Sequence, residues 1–162
     1  MEKERIEFCI NRFDHYYDSV NNKSAVFLAM GTFIVGGLTA SIPYLLENVN
    51  YSILLYVFLS VSILFALASL VIVLYASSPF RPKGSSSLFY FNSIAKMDMK
   101  AFLIESERCS KDEEIRDLRQ QVFFLAKGLS KKFKLLKYAG IFYVIVVLNM
   151  IPIIILIFKN LK

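Results

Sequence analysis

The sequence predicts an all-α integral membrane protein, with three transmembrane helices and a cytoplasmic helical bundle. Three observations predict it. Residues 24–46, 48–80 and 138–158 contain no Asp, Glu, Lys, Arg or His. A bilayer core about 30 Å thick is crossed by about 20 apolar residues in a helix, so each run is long enough to span. Of the 162 residues, 56% are hydrophobic and mean hydropathy is +0.53, whereas soluble domains are roughly 45–50% apolar. The stretches between the runs repeat their apolar residues at helical spacing. Fewer than 90 residues lie outside the three runs, which excludes an ordinary soluble enzyme and a large catalytic domain.

Residues 1–22 form the first expected element, an amphipathic cytoplasmic helix. Ile6, Cys9 with Ile10, Phe13, Tyr16 with Tyr17, and Val20 recur at spacings of three and four. Glu2, Glu4, Arg5, Asn11, Arg12 and Asp18 fill the opposite face. Residues 1–23 hold four basic and five acidic residues, net −1. Helices that lie in the membrane surface favour a Lys/Arg-rich polar face, so this stripe is expected to pack on a partner helix instead. A secretory signal would run from basic to apolar, which this mixed-charge start does not, so the first apolar run is expected to be an internal anchor.

The first span is residues 23–46 and the second is residues 51–77. Only Glu47-Asn48-Val49-Asn50 separates the two, which forces an antiparallel hairpin. Pro43 sits near the end of the first span, where a kink is tolerated. Gly36 and Ala40, Gly37 and Ser41, and Ser62 and Ala66 are each four apart, a spacing that lets helices approach closely, within the bundle or between copies. Thr32, Thr39, Ser60, Ser62, Ser69 and Asn149 are expected to hydrogen-bond across helices.

Residues 78–135 form the cytoplasmic helical region. Ser78-Pro79-Phe80-Arg81-Pro82-Lys83-Gly84-Ser85-Ser86-Ser87 marks a break in regular structure. A short aromatic segment, 88–96, follows. Asp98 is placed to cap a helix over 99–107. Ser110 with Glu113 reads as a capping box, and Asp112-Glu113-Glu114 suits a helix N-terminus. Ile115, Leu118, Val122, Leu125 and Leu129, then Phe133 and Leu136, carry this helix into the third span, 136–158. A helix over 111–158 would be roughly 72 Å long at 1.5 Å per residue. That exceeds the bilayer, so its first half is expected to project into water as a stalk or to bend at Gly128 or near Lys137.

Charge sets the orientation. Residues 78–137 hold thirteen Lys and Arg against seven acids, net +6, while the 47–50 link holds no base. Lys and Arg near membrane ends stay on the cytoplasmic side. The reading is a multi-pass inner-membrane protein with the N-terminus cytoplasmic, the link outside and the C-terminus periplasmic. Lys127, Lys131, Lys132, Lys134 and Lys137 suit anionic headgroups or an anionic ligand; nucleic acid is not expected as a partner. The spans hold no carboxylate or lysine of the kind that marks ion-coupled transport.

The sequence points away from catalysis. Cys9, Cys109 and the single His15 are too few for a closed four-ligand zinc site. Both thiols are expected free in a reducing compartment. No phosphate-binding glycine motif and no nucleophile–base set is present, and no metal or cofactor is expected.

Three segments in order carry a family resemblance. They are Asn22-Lys23-Ser24-Ala25 leading into Val26-Phe27-Leu28-Ala29-Met30-Gly31, then Leu88-Phe89-Tyr90-Phe91-Asn92-Ser93-Ile94-Ala95-Lys96-Met97, then residues 121–139 with Leu125-Ala126 and Lys131-Lys132-Phe133. Over about residues 15–155 the chain resembles the transmembrane effectors of the Pycsar (pyrimidine cyclase) anti-phage defence system. The chain departs from that pattern at Asn21–Asn22, where an acidic residue is expected.

The resemblance implies a functionally linked pyrimidine cyclase that makes cyclic CMP or cyclic UMP, and an effector that then impairs the inner membrane and causes abortive infection. It implies a homo-oligomer, and a nucleotide site assigned to Lys23, Phe91, Asn92, Lys96, Lys131 and Lys132. The lysines would meet the phosphate and the aromatic segment would stack on the base. Two other readings stand beside it: a membrane anchor or scaffold for a partner protein, and an ungated holin-like pore former.

Overall fold

The computed structural model describes residues 1–79 and 87–161. All the named elements are helices: α1 Glu2–Asn48, α2 Ile53–Ser77, α3 Phe91–Ile94, α4 Met99–Arg108 and α5 Lys111–Asn160. Among the described residues there is no strand, only an isolated bridge between Val49 and Leu161. α1, α2 and α5 are each long and apolar enough to cross a membrane. The all-α membrane class therefore stands. The break expected over 78–87 lies, from Phe80 to Ser86, outside the described residues.

Several boundaries differ from the sequence reading. α1 runs through residues 22 and 23 without interruption, with Pro43 inside it. The link is accordingly 49–52, since α1 extends to Asn48 and α2 begins at Ile53. α5 is continuous over 50 residues, through Gly128 and Lys137. The two caps read from sequence are present. Asp98 accepts the Lys100 N–H at 3.3 Å. Ser110 and Glu113 close a reciprocal capping box, with the Ser110 N–H donating at 2.8 Å and the Glu113 N–H donating back at 3.3 Å.

The chain forms two compact units, Met1–Ser19 with Pro79–Lys131, and Val20–Ser78 with Lys132–Lys162. In the first unit, Glu2 pairs with Arg119 at 2.6 Å and Lys3 with Glu114 at 2.7 Å. The Tyr17 hydroxyl donates to the Leu125 carbonyl at 3.0 Å. The partner expected for the amphipathic stripe is thus the first part of α5. The ion pairs are exposed and contribute little, typically about 0–1 kcal/mol each; Ile6, Leu118 and Leu129 are buried apolar positions of this unit.

The second unit is a three-helix bundle. On α2 the buried residues are Leu55, Leu59, Ser62, Ala66, Ser69, Val73 and Ala76, stepping four and three alternately. On α5, Lys132, Leu136, Ala139, Tyr143, Val146 and Ile153 keep the same beat. A strict seven-residue repeat keeps one seam facing its partner along a left-handed supercoil. Pair order fixes direction: Ser69 meets Ala139 while Ala76 meets Lys132, so α2 is antiparallel to α5. Phe27 meets Tyr143 and Asn50 meets Asn160, so α1 and α5 are parallel. The α1–α2 link and the end of α5 therefore share one end of this unit, as three spans require.

The bundle is turned inside out relative to a soluble one. Ser62, Ser69 and Ala66 are fully buried, while Phe33, Leu64, Val71 and Val144 are exposed. Small residues inside let backbones approach, and large apolar residues outside suit lipid. Ser69 donates across helices to the Ala139 carbonyl at 3.0 Å. Thr32 and Thr39 instead donate back to their own helix, to Leu28 and Val35 carbonyls at 3.0 and 2.8 Å. Ser62 and Ala66 pack inside as their spacing suggests, but a Cβ added at Gly36 or Gly37 would meet nothing within 4 Å.

Candidate functional site

The first unit contains a polar cleft of about 440 Å³. Leu88, Ile104, Glu105, Arg108 and Cys109 line one part of it, and Glu113, Arg116, Asp117 and Gln120 the other. Its walls are the end of α4, the first three turns of α5 and the chain leading to α3. Two sequence features put them there. Asp98 starts α4, and the Ser110–Glu113 box starts α5 at Lys111, so only Cys109 and Ser110 separate the two helices.

A buried serine holds the third wall. Ser87 is 1% exposed. Its hydroxyl donates to Asp117 at 2.9 Å and accepts from the Phe89 and Tyr90 N–H groups at 3.1 and 3.0 Å and from Gln121 at 2.8 Å. Asp117 also accepts the Leu88 N–H at 3.0 Å. Ser87, Asp117 and Gln121 thus fix the start of the aromatic segment. Sequence reasoning missed all three. The available signal was Gln121 and Asp117 lying four apart beside an otherwise apolar seam. Ser87→Ala removes the acceptor of two backbone N–H groups and leaves Gln121 only its longer bond to Asp117, at 3.5 Å, and is expected to cost about 1–3 kcal/mol, read as a lowered unfolding midpoint in detergent.

The charges in the cleft divide by occupation. Asp117 is held by Ser87, and Glu113 by Ser110, whose backbone N–H and then hydroxyl keep that carboxyl below the usual carboxylate range. Among the described residues, the Arg108 and Arg116 guanidinium groups donate no hydrogen bond and the Glu105 carboxylate accepts none, while the Arg116 charge helps to lower Glu113. Burial, then the Glu113, Glu114 and Asp117 carboxylates, push the Cys109 thiol up. Among the described residues no group of His, Cys, Asp and Glu could hold a metal ion.

The residues assigned to a nucleotide from sequence fall in both units. Phe91 and Asn92 open α3, with Lys96 two positions past its end, and Lys131 closes the first unit. Phe91 is exposed, and its ring lies 5.1 Å from that of Tyr90. Lys23 and Lys132 belong to the second unit. Lys23 sits 5.7 Å over the Phe133 ring. Lys132 is 7% exposed, and its ammonium donates at 2.7 Å to the Ala76 carbonyl in the last turn of α2. Burial lowers its pKa. A cation there suits the last turn of a helix, where carbonyls run out of helical partners.

Comparison with known proteins decides the family. The profile of the Pycsar effector protein domain matches residues 5–159. The chain belongs to the Pycsar effector family. No curated protein and no solved structure matches it. A Pycsar effector has a role in anti-phage defence and a link to that system's cyclase and cyclic nucleotide. In this Pycsar effector the family match covers all three membrane-length helices and the cleft together.

Proposed function

We propose that this protein is a membrane-embedded anti-phage effector that a cyclic pyrimidine mononucleotide, cyclic CMP or cyclic UMP, activates to impair the inner membrane and cause abortive infection. The observation that carries the reading is the Pycsar effector match over 5–159, on a chain with three membrane-length helices. The protein acts by binding and rearrangement, without catalysis.

The cleft of the first unit suits the signal. Its volume of about 440 Å³ falls in the range of small-molecule sites, about 300–1,000 Å³. Arg108 and Arg116 supply two guanidinium groups for one phosphate, and Glu105 an acceptor for a ribose hydroxyl or an exocyclic amine. Phe91, Asn92 and Lys96 lie on the segment that Ser87 anchors to the same unit and extend the contacts. Lys132, already bonded to Ala76, is left to structure, and Lys23 and Lys131 to the headgroup region. α1 and α5 contribute chain to both units, so a ligand that favours one packing of these helices in the first unit acts on helices that also build the second. A ligand shifts such an equilibrium only by its differential affinity for the two states. Assembly into a homo-oligomer, with the N-terminus in the cytoplasm, completes the reading.

Dye uptake tests it. In cells that co-express a pyrimidine cyclase, a membrane-impermeant dye is expected to enter, and in cells with the chain alone it is expected to stay out. Entry without cyclase supports an ungated pore former instead. No entry in either case leaves the anchor or scaffold reading.

A further inference from the structure

On the second unit, α1 and α5 leave an open groove of about 680 Å³ that the nucleotide reading does not use. Its walls include Phe27 and Met30 from α1 and Gly140, Ile141, Val144 and Leu148 from α5. Lys137 is the one charged group in the lining, and it makes no hydrogen bond or ion pair among the described residues. Positions 137, 141, 144 and 148 fall on one helix stripe, roughly 16 Å long at 1.5 Å per residue. The groove deepens at Gly140, where an added Cβ would lie 3.7 Å from the Phe27 ring. A larger side chain there would fill the space.

Position along the chain sets the chemistry. Lys137 is the last charged residue before the uncharged run 138–158, so it stands where that span leaves the hydrocarbon. Lysines at such places extend towards the headgroups. Below it the trough is almost wholly apolar. A second copy of a helix in this groove would cover the unpaired ammonium, which is costly in a low-dielectric setting. An acyl chain beneath a phosphate satisfies both ends at once.

We propose that this groove binds one anionic phospholipid, with an acyl chain along Gly140, Val144 and Leu148 and the phosphate on the Lys137 ammonium. Native mass spectrometry of the full chain, incubated in detergent with phosphatidylglycerol or phosphatidylcholine, tests it. The wild-type chain is expected to retain phosphatidylglycerol in preference to phosphatidylcholine. Lys137→Gln should lower phosphatidylglycerol retention roughly fivefold, in line with one basic residue at an anionic surface. Gly140→Leu should remove the bound lipid of either kind. Lys134→Gln, outside the lining, should change nothing. Equal retention by wild type and Lys137→Gln overturns the proposal. So does a dimer that Gly140→Leu splits without loss of lipid, which would make the groove an interface between copies. Circular dichroism on each variant separates loss of lipid from loss of fold, and Lys137→Gln decides the matter if Gly140→Leu does not fold.

Discussion

Gly31→Ala is expected to lower the unfolding midpoint of the detergent-solubilised chain by roughly 5–10 °C, from an overpacking cost of about 1–3 kcal/mol and the loss of one hydrogen bond. A Cβ at Gly31 would overlap the Tyr143 hydroxyl and lie 2.5 and 2.8 Å from the Leu70 Cδ2 and Cγ. Leu70 can turn aside. Tyr143 is fixed, because its hydroxyl donates to the Phe27 carbonyl at 2.7 Å and its ring packs edge-on against Phe27 at 5.5 Å. To make room, the phenol must leave its acceptor or α1 must move from α5. Gly36→Ala and Gly37→Ala provide the contrast. Nothing lies within 4 Å of either new Cβ, so both should stay within about 0.5 kcal/mol of wild type. A midpoint for Gly36→Ala as low as that for Gly31→Ala would mean that the bundle packs on a different face.

The combined change Arg108→Gln and Arg116→Gln is expected to weaken cyclic CMP or cyclic UMP binding by roughly a hundredfold or more, since each charge-assisted hydrogen bond contributes about 1.5–3 kcal/mol. Both residues line the cleft and are exposed, so the fold should be unaffected. Isothermal titration on purified protein, with cyclic AMP as control, reads the loss directly, and dye uptake with cyclase should fall with it. Wild-type affinity in the double variant would remove the cleft from the account. It would leave the dye result for the wild-type chain as it stands, so the site and the activity fail separately.

Much of the fold was legible because each cue was local. Three charge-free runs fix three spans, and the Asp98 cap and the Ser110–Glu113 box set the starts of α4 and α5. The uninterrupted course of α1 was less visible. The shift from mixed-charge to apolar residues at 22–23 looks like a boundary between elements, but it is a change of surroundings along one helix. Small-residue spacing was ambiguous for a related reason. Ser62–Ala66 and Gly36–Ala40 share the same interval, and only the neighbouring helices decide that the first faces in and the second out.

The site was the least legible part. Lysine density drew attention to Lys131 and Lys132, yet the Lys132 ammonium is committed to the end of α2, a pairing between residues 56 apart in sequence. Ser87, Asp117 and Gln121 form their network across a gap of 30 residues or more between Ser87 and its two partners, so no spacing rule in a single segment can reveal it. Arg108 and Arg116 look like ordinary surface charges until α4 and α5 bring them to one cleft.

Sidedness is the claim on which the functional account rests, because a nucleotide made inside the cell must reach the first unit. In a Cys9→Ser, Cys109→Ser background, a single cysteine is placed at Lys111, the first residue of α5, or at Asn50, in the α1–α2 link. Spheroplasts are then exposed to an impermeant maleimide before and after lysis. The account predicts that Asn50→Cys is modified in intact spheroplasts and Lys111→Cys only after lysis. Modification of Lys111→Cys from outside intact spheroplasts would contradict it.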